Sequence, residues 1–378
     1  MRAEPRVPAE ALAAIRAPFL QAGAERVDPP ILQPLSLLLE LAGEALRARL
    51  FVVQAEGGQE ACLRPDFTAP IARLHLASGA ADGRYFYEGT AFRAARDSAD
   101  RPEEFLQVGL EVYESGRTSP AAADAEVTAL AWRAAAAGGR SDLSLWLGDV
   151  GLFGAMIDSL GLAPLLAERL RRAAARPRLL AAELARAGAE PEAAASGALA
   201  ARLAGLSEAE AATLLEEIWA LAGIERVGGR GPAEIAQRLV RKAEAARAPA
   251  LSPAQAEAIR AFLAIAAPLD EALEAVDAIG GEAPGLSAAL GGWAERVERL
   301  IRAGAPLDRL MFATGLGHAF DYYDGLTFEV RSEALGPQRP VAVGGRYDSL
   351  PARLGGAGTA RAVGAMVRPW RAYAGGEA

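Results

Sequence analysis

The sequence contains very little cysteine and histidine. Cys62 is the only cysteine, so no disulfide can form within the chain. His75 and His318 are the only histidines, which leaves no cluster of typical metal-binding side chains. We therefore expect neither a structural metal ion nor another bound cofactor.

Long apolar runs are also missing. No stretch approaches the roughly 18 consecutive apolar residues of a membrane-spanning helix. Residues 1–8 lack the apolar segment of a secretory signal, so we expect a cytoplasmic protein with no membrane partner. The net charge of −8 opposes binding to a phosphate backbone, which disfavours nucleic acid without excluding it.

The order of the remaining patterns predicts an α+β fold with an antiparallel sheet flanked by helices. A chain of 378 residues is long enough for two or three domains. Alternating apolar and polar residues predict strands in the first 150 residues and again after residue 304. Residues 151–303 are rich in alanine and helical in pattern. We expect a sheet-containing core from 1–150 and 304–378, with a helical insertion at 151–303.

Residues 104–113 give the clearest strand pattern. The even-numbered positions from Leu106 to Val112 are apolar, while Gln107, Gly109 and Glu111 share the opposite face. A glycine between two hydrogen-bonding side chains is typical of the floor of a small-molecule pocket. A solvent-facing polar side with a tolerated glycine explains the same pattern equally well.

The stretch 315–330 and the following 341–348 concentrate glycines, acids and tyrosines. Asp324-Gly325 and Gly336-Pro337 are turn signals, and 326–330 alternates with the period of a strand. We expect antiparallel strands joined by hairpins here, carrying polar groups on a rigid sheet.

Four motifs in this order resemble the catalytic core of histidyl-tRNA synthetases. The resemblance covers about residues 9–154 and 310–367 and implies a class II aminoacyl-tRNA synthetase-like fold. The helical middle carries no matching motif. The motifs are Leu-Arg-Pro-Asp-Phe-Thr-Ala at 63–69, Phe-Arg at 92–93 with Gln-Val-Gly-Leu-Glu at 107–111, Phe-Asp-Tyr-Tyr at 320–323, and Gly-Gly-Arg-Tyr-Asp at 344–348.

Several departures from the synthetase pattern point away from amino-acid activation. His318 stands where the family has a catalytic arginine, and fixed positive charge is what stabilises developing phosphate charge. Where the family usually has a glycine and an acid before its last arginine, this chain reads Arg-Pro-Trp-Arg at 368–371. The bulky Arg368 and the helix-breaking Pro369 are expected to crowd the adenine position. Because the sequence ends a few residues after Trp370, we expect no counterpart of the domain that reads the tRNA anticodon in synthetases.

A chain that keeps the pocket motifs of the synthetases but departs from their residues for amino-acid activation resembles the regulatory subunits of ATP phosphoribosyltransferase. This resemblance implies a non-catalytic protein that is required for the first step of histidine biosynthesis and binds L-histidine for feedback inhibition. Its expected partner is a short-form catalytic subunit in a hetero-oligomer. Because Val27 to Leu32 resembles the dimer-forming motif of class II synthetases, a homodimer through the core is expected, with no tRNA partner.

The same resemblance implies a site for free histidine. Asp66, Thr68 and Gln107 are expected to hold the α-ammonium, Arg93 the carboxylate, and Glu111 with Tyr323 the imidazole. The full set of expected histidine-binding residues is Asp66, Thr68, Arg93, Gln107, Glu111, Tyr322 and Tyr323. Residues expected to shape the pocket are His318, Asp321, Gly344, Gly345 and Arg346.

Each assignment has a simpler structural alternative. Asp66 and Thr68 could cap a helix, and Arg93 could pair with the acidic loop that follows it. The two tyrosines could be core aromatics, and His318 could be a structural histidine. Arg346 is equally plausible as a member of a structural ion pair. For the whole chain, the alternatives are a divergent aminoacyl-adenylating enzyme and a scaffold with a vestigial pocket.

Overall fold

The chain forms two compact units, residues 1–155 with 262–378 and residues 156–261. The computed structural model describes residues 2–42, 44–54, 58, 60–95, 101–116, 119–174, 177–188, 206, 208–222, 250–280, 284–316, 322–356 and 360–376. None of the helices in these ranges is both long enough and apolar enough to cross a membrane.

The first unit is built on a large sheet and a small one. Within the described residues the strands are, in chain order, β1 Glu25–Arg26, β2 Leu32–Pro34, β3 Val52–Gln54, β4 Glu60–Leu63, β5 Gly83–Phe92, β6 Glu104–Glu114, β7 Leu143–Asp149, β8 Ala266–Pro268, β9 Leu310–Ala313, β10 Leu326–Ser332, β11 Ala342–Arg346 and β12 Arg361–Val367. The large sheet has the order β1-β5-β6-β12-β11-β10-β7-β9-β8, and the small one β2-β4-β3.

The central part of the large sheet is antiparallel, as the sequence predicts. Every neighbouring pair from β5 to β7 is antiparallel. The pairs β1–β5 and β7–β9 are parallel, so the complete sheet is mixed. Turn residues placed the hairpin of β10 and β11 correctly, and Gly336 between them has the positive φ of 70° that favours glycine.

Helices flank this sheet. Four of them are labelled here: α1 Ala9–Gln21, α2 Leu35–Ala42, α3 Thr68–Ser78 and α4 Pro120–Ala136. The other described α-helices are Val150–Ser159, Pro164–Ala174, Pro177–Ala185, Glu208–Ala222, Pro253–Leu263, Leu269–Gly280, Pro284–Arg302, Ser349–Arg353 and Pro369–Ala372, and 3₁₀-helices span Glu44–Arg49 and Leu307–Arg309. Pro8 and Gly23 bracket α1, because proline suits a helix start and glycine a helix end.

Strand β6 is buried on both faces. Val108 and Leu110 are completely buried, and so is Gln107 on the opposite face, while Glu111 is 1 % exposed. The alternative of a solvent-facing polar side is therefore wrong for this strand. Its polar residues face the interior of the protein.

The second unit is shorter than the predicted helical segment 151–303. Residues from 262 onward belong to the first unit, where β8 pairs with β9 and Trp293 packs edge-on against Phe312. Helical periodicity alone could not reveal that these later helices pack on the sheet. In the second unit, Ser252 and Gln255 cap the helix Pro253–Leu263 reciprocally, each side chain accepting the other residue's backbone N–H.

Candidate functional site

A cavity of about 640 Å³ lies within the first unit and brings distant segments together. The polar residues predicted from the sequence come from the start of α3, the end of β5, the strand β6 and the segment before β10. All seven predicted histidine-binding residues line it: Asp66, Thr68, Arg93, Gln107, Glu111, Tyr322 and Tyr323. The sequence placed these residues in three of the four motifs, and the fold brings them to one space.

Glu111 is a buried acid of the cavity with a strongly raised pKa. Thr68 Oγ1 donates a hydrogen bond of 2.8 Å to Glu111 Oε1, and the hydroxyl of Tyr347 donates to Glu111 Oε2. Burial raises the pKa of Glu111 to about 8, against the opposing effect of these two hydroxyls, and the nearby carboxyl of Asp66 raises it further. Glu111 therefore holds a proton near neutral pH while no cation is beside it.

Asp66 is a second buried acid of the cavity. Burial raises its pKa, and the positive charge of Arg93 opposes that rise, together with Tyr322 and backbone N–H groups at the start of α3. The hydroxyl of Tyr322 lies 3.4 Å from Asp66 Oδ2. The hydroxyl of Thr68 is engaged inside the cavity, because it donates to Glu111.

Gln107 carries an unsatisfied polar group into this cavity. Its side chain is fully buried, and neither Oε1 nor Nε2 has a hydrogen-bond partner within the described structure. An unpaired buried amide is costly, since it has given up water without replacement. This position therefore suits a ligand that carries both a hydrogen-bond donor and a hydrogen-bond acceptor.

Arg93 lies between the acids and a group of further arginines. Its Nε donates to the carbonyl of Pro65 at 2.8 Å, and its guanidinium lies 5.4 Å from the ring centroid of Phe105. The attraction between Arg93 and Asp66 noted above places opposite charges side by side. An acid next to a guanidinium is the pair of charges that an amino-acid zwitterion requires.

Of three closely packed glycines, Gly364 lines the cavity, whereas the predicted pocket-shaping residues Gly344 and Gly345 do not. A Cβ on Gly364 would lie 1.6 Å from Glu111 Oε2, and one on Gly345 would lie 2.8 Å from the ring of Tyr323. A Cβ on Gly344 would meet the ring of Phe328 at 2.3 Å. The backbone of β11 and β12 can therefore approach these side chains only because no Cβ intervenes.

Arg346 does not line the cavity. It is 4 % exposed and forms ion pairs with Asp124 at 2.6 Å and Asp348 at 2.8 Å. Of the two interpretations of this residue, the geometry supports the structural ion pair. His318 and Asp321, the remaining predicted pocket-shaping residues, lie outside the described residues.

Sequence reasoning missed several residues that complete the site. Tyr347 directly follows the Gly-Gly-Arg run and was not assigned a role, although its hydroxyl contacts Glu111. Gly364 is a glycine inside a strand, which is a signal of close backbone approach. The cavity is also lined by arginines outside the predicted set, Arg49, Arg101, Arg331, Arg368 and Arg371.

Arg368 occupies the aromatic surface next to these arginines. Its guanidinium lies 3.6 Å from the ring centroid of Phe105, and Nη2 pairs with Glu4 at 2.6 Å. Arg368 and Glu4 are both almost completely buried. Arg368 was expected to crowd the adenine position. In the structure its guanidinium covers one face of the Phe105 ring.

The described part of the cavity is not arranged as a metal site. Among the residues that the structure describes, no group of three or more histidine, cysteine, aspartate or glutamate side chains is placed to bind one. The arrangement instead suits a small zwitterion, with paired acids, a buried amide and a guanidinium converging on one space.

The chain is similar to histidyl-tRNA synthetases over almost all of its length. The family model described as histidyl-tRNA synthetase matches residues 3–227 and 233–369. Among solved structures, an ATP phosphoribosyltransferase regulatory subunit/histidyl-tRNA synthetase from Bacillus halodurans superposes with a TM-score of 0.65 at 23 % identity, covering 97 % of this chain and 78 % of that one. A histidyl-tRNA synthetase from Nostoc sp. PCC 7120 gives a TM-score of 0.61 at 16 % identity, covering 97 % and 72 %. These likenesses confirm the predicted fold.

Relatives of higher identity carry a more specific name. A protein from Mesorhizobium japonicum named ATP phosphoribosyltransferase regulatory subunit is 37 % identical over 348 residues, 89 % of each chain. A protein of the same name from Brucella anthropi is 36 % identical over 346 residues, 90 % of each chain. The chain belongs to the histidyl-tRNA synthetase-like family and, within it, to the ATP phosphoribosyltransferase regulatory subunits.

Proposed function

We propose that this chain is the non-catalytic regulatory subunit of an ATP phosphoribosyltransferase and binds free L-histidine in the cavity, so that histidine inhibits its own biosynthesis. The observation that carries the proposal is the convergence of seven predicted side chains on one cavity. The names of the relatives support the regulatory role and imply a catalytic subunit as partner.

Each part of histidine has a chemically suitable group nearby. The α-ammonium would lie against Asp66 and the free amide oxygen of Gln107, and the carboxylate against Arg93. The imidazole would lie against Glu111, with Tyr323 beside it. Thr68, which was expected to contact the ammonium, more directly fixes the carboxyl of Glu111.

The two buried acids explain why a cationic ligand is favoured. Both carboxyls have raised pKa values, mainly because burial disfavours their charged forms. A bound ammonium and an imidazole that shares a proton would lower the cost of charge in the cavity. An amino acid without a hydrogen-bonding ring would leave Glu111 without this partner, which is the basis for specificity.

Inhibition requires histidine to bind two states of the assembly with different affinity. We propose a short-form catalytic subunit as the partner in this assembly, no tRNA partner, and a homodimer as its building block. Exposed apolar side chains on and beside the small sheet support the homodimer, because such a surface is stabilised by burial. They are Ile31, Leu32, Val52 and Val53, between 38 and 54 % exposed.

Two measurements test the proposal. Calorimetric titration with L-histidine should show saturable binding to the isolated chain, while L-alanine and L-phenylalanine should not bind. Mixing the chain with a short-form catalytic subunit should make phosphoribosyl transfer depend on this chain and fall with added histidine. Binding without any effect on transfer would contradict the regulatory role, and histidine-dependent ATP/pyrophosphate exchange would favour an adenylating enzyme.

A further inference from the structure

A group of buried aromatic side chains lies next to Glu111, farther along the same face of the large sheet. Tyr113 follows Glu111 by two positions on β6, so both side chains point to the same face. The ring of Tyr113 stacks on His75 of α3 with centroids 4.2 Å apart, and it meets the ring of Tyr347 edge-on at 6.4 Å. Tyr113, His75 and Tyr347 are at most 2 % exposed, so these contacts hold the Tyr113 hydroxyl in the interior.

The hydroxyl of Tyr347 has two oxygen atoms beside it that can accept its single proton. One is Glu111 Oε2, to which it donates in the structure. The other is the hydroxyl of Tyr113: burial raises the pKa of Tyr347 most, and the electrostatic effects of Glu111 and Tyr113 raise it further. While Tyr347 donates to Glu111, the buried Tyr113 Oη has no hydrogen-bond partner within the described residues. Tyr113 is thus available to Tyr347 as a second acceptor.

A second acceptor matters because Glu111 holds a proton while no cation is beside it. An ionised Glu111 accepts from both Thr68 and Tyr347, but a protonated carboxyl has to place its own proton on a neighbouring acceptor. When Glu111 donates this proton to the oxygen of Tyr347, the hydroxyl of Tyr347 turns away and donates to Tyr113 instead. Without the Tyr113 oxygen, a buried donor would lose its partner, which is costly.

Other titratable groups also face this pair of side chains. They are Asp66, Tyr87, Tyr322 and Tyr323 around Glu111, with Arg93 beyond Asp66, and His75 and Tyr85 around Tyr113, with Asp82 acting on His75. The hydroxyl of Tyr85 is already engaged, because it lies 3.0 Å from His75 Nδ1. Within the described residues, Thr68 and Tyr347 are the groups that hydrogen-bond to Glu111. Tyr347 is the one that leads on to an unpartnered oxygen.

We propose that Tyr113 is a positioning residue of the histidine site, whose hydroxyl, acting through Tyr347, lets Glu111 keep a proton while the cavity is empty. When histidine binds, a ring N–H of the imidazole donates to Glu111 in place of this proton, which passes to solvent. Tyr347 then donates to the ionised carboxyl again. This role deepens the proposed function and rests on it for the identity of the ligand, whereas the effect of Tyr113 on Glu111 does not need histidine.

Infrared titration of the ligand-free full chain measures the effect on Glu111. The carbonyl band of the protonated carboxyl is identified by its loss in Glu111→Gln, and in the wild type it should disappear as the pH rises through about 8. In Tyr113→Phe it should disappear at least about half a pH unit lower, because the protonated form has lost its second acceptor. The matched control Tyr85→Phe removes the hydroxyl that pairs with His75 in the same aromatic group, and it should titrate like the wild type.

A double variant shows whether the effect passes through Tyr347. Tyr347→Phe alone removes a donor to the ionised carboxyl, so Glu111 should keep its proton to a higher pH than in the wild type. Adding Tyr113→Phe to Tyr347→Phe should cause no further shift. A wild-type titration curve in Tyr113→Phe, or the same shift with and without the Tyr347 hydroxyl, would overturn the role of Tyr113.

Calorimetric titration with L-histidine connects this effect to the ligand. At pH 7, Tyr113→Phe should bind histidine about threefold more tightly than the wild type, because half a unit less of pKa has to be overcome to remove the Glu111 proton. Loss of a merely structural hydroxyl would not strengthen binding.

The two titrations separate this inference from the proposed function. Unchanged or weaker histidine binding in Tyr113→Phe, together with a shifted carboxyl band, would overturn the role in histidine binding. A wild-type chain that binds histidine while Tyr113→Phe leaves the band in place would overturn the inference alone. A wild-type chain that takes up no histidine would overturn the proposed function, even where the infrared shifts connect Tyr113 with Glu111.

Discussion

Two clusters of buried charge in the first unit differ in how completely they are paired. One joins Arg346, Asp124 and Arg296, where Asp124 receives both guanidinium groups at 2.6 and 2.9 Å. It extends to Asp149, whose Oδ2 also accepts from the indole of Trp293 at 3.0 Å. We call it the closed cluster, because each charge in it has an opposite charge beside it.

The part of the cavity formed by Asp66, Gln107 and Glu111 is the contrasting case, and we call it the open cluster. Asp66 and Glu111 are buried acids beside one another, and Gln107 has no hydrogen-bond partner within the described residues. Protein groups alone leave this cluster incomplete. The difference separates buried polar residues that hold the fold together from those available to a ligand, although the sequence patterns of the two sets are alike.

Breaking the closed cluster should have the largest effect. Asp124→Asn would leave two buried guanidinium groups without their shared carboxylate, and we expect the free energy of unfolding to fall by about 3–5 kcal/mol. Urea unfolding of the wild type and the variant measures this loss of stability. Histidine affinity of the folded fraction should be unchanged.

The matched control for this change is Asp158→Asn. Asp158 pairs with Arg171 on the surface, where the side chains are 65 and 41 % exposed. Such exposed pairs contribute at most about 1 kcal/mol. An equal loss of stability in both variants would remove the distinction between closed and surface pairs.

Breaking the open cluster should affect binding more than folding. Glu111→Ala removes the carboxyl proposed to hold the imidazole, and a charged hydrogen bond contributes about 1.5–3 kcal/mol. Histidine affinity should therefore fall by at least about tenfold, measured by calorimetry. In the control Glu329→Ala, which removes a carboxylate already paired with Arg331, affinity should change little; unchanged affinity in Glu111→Ala would indicate a vestigial pocket.

The close approach of β12 to Glu111 offers a smaller perturbation. In Gly364→Ala the added Cβ would overlap Glu111 Oε2 and lie 3.0 Å from the Tyr347 hydroxyl, so the carboxyl must move. We expect a loss of about 1–3 kcal/mol in stability, as for other overpacked sites, together with weaker histidine binding. Gly154→Ala has nothing within 4 Å of the new Cβ and should not destabilise the chain. Equal behaviour of the two variants would contradict the packing argument.

The protonation of Glu111 should appear in the pH dependence of stability. The folded chain keeps this proton up to a pKa of about 8, whereas the unfolded chain releases it near the usual value of 4.5. Between these values the unfolded state binds fewer protons, so stability falls as pH rises, by up to about 1.4 kcal/mol per pH unit. Denaturant unfolding between pH 5 and 8 should show this slope in the wild type and a flatter one in Glu111→Gln; parallel slopes would contradict a raised pKa.

The sequence predicted the fold and the residues that line the cavity better than it predicted which residues they contact. Alternation at 104–113 identified β6, and three of the four motifs supplied seven residues that line the cavity. The extent of the helical segment was less accessible, because helical periodicity does not show that residues after 262 pack on the sheet. The parallel pairing of β1 with β5 and of β9 with β7 left no local sequence signal either.

Local sequence by itself determined where strands and helices form and which residues carry the chemistry. Only the tertiary structure decided which polar groups come into contact. Arg346 donates to Asp124, which is 222 residues away in the sequence, and Tyr347 donates to Glu111, which is 236 residues away. Periodicity reports which face of an element is buried, but the charge that balances a buried group comes from a distant segment. Whether an acid is closed off by the protein or left for a ligand therefore depends on the assembled fold.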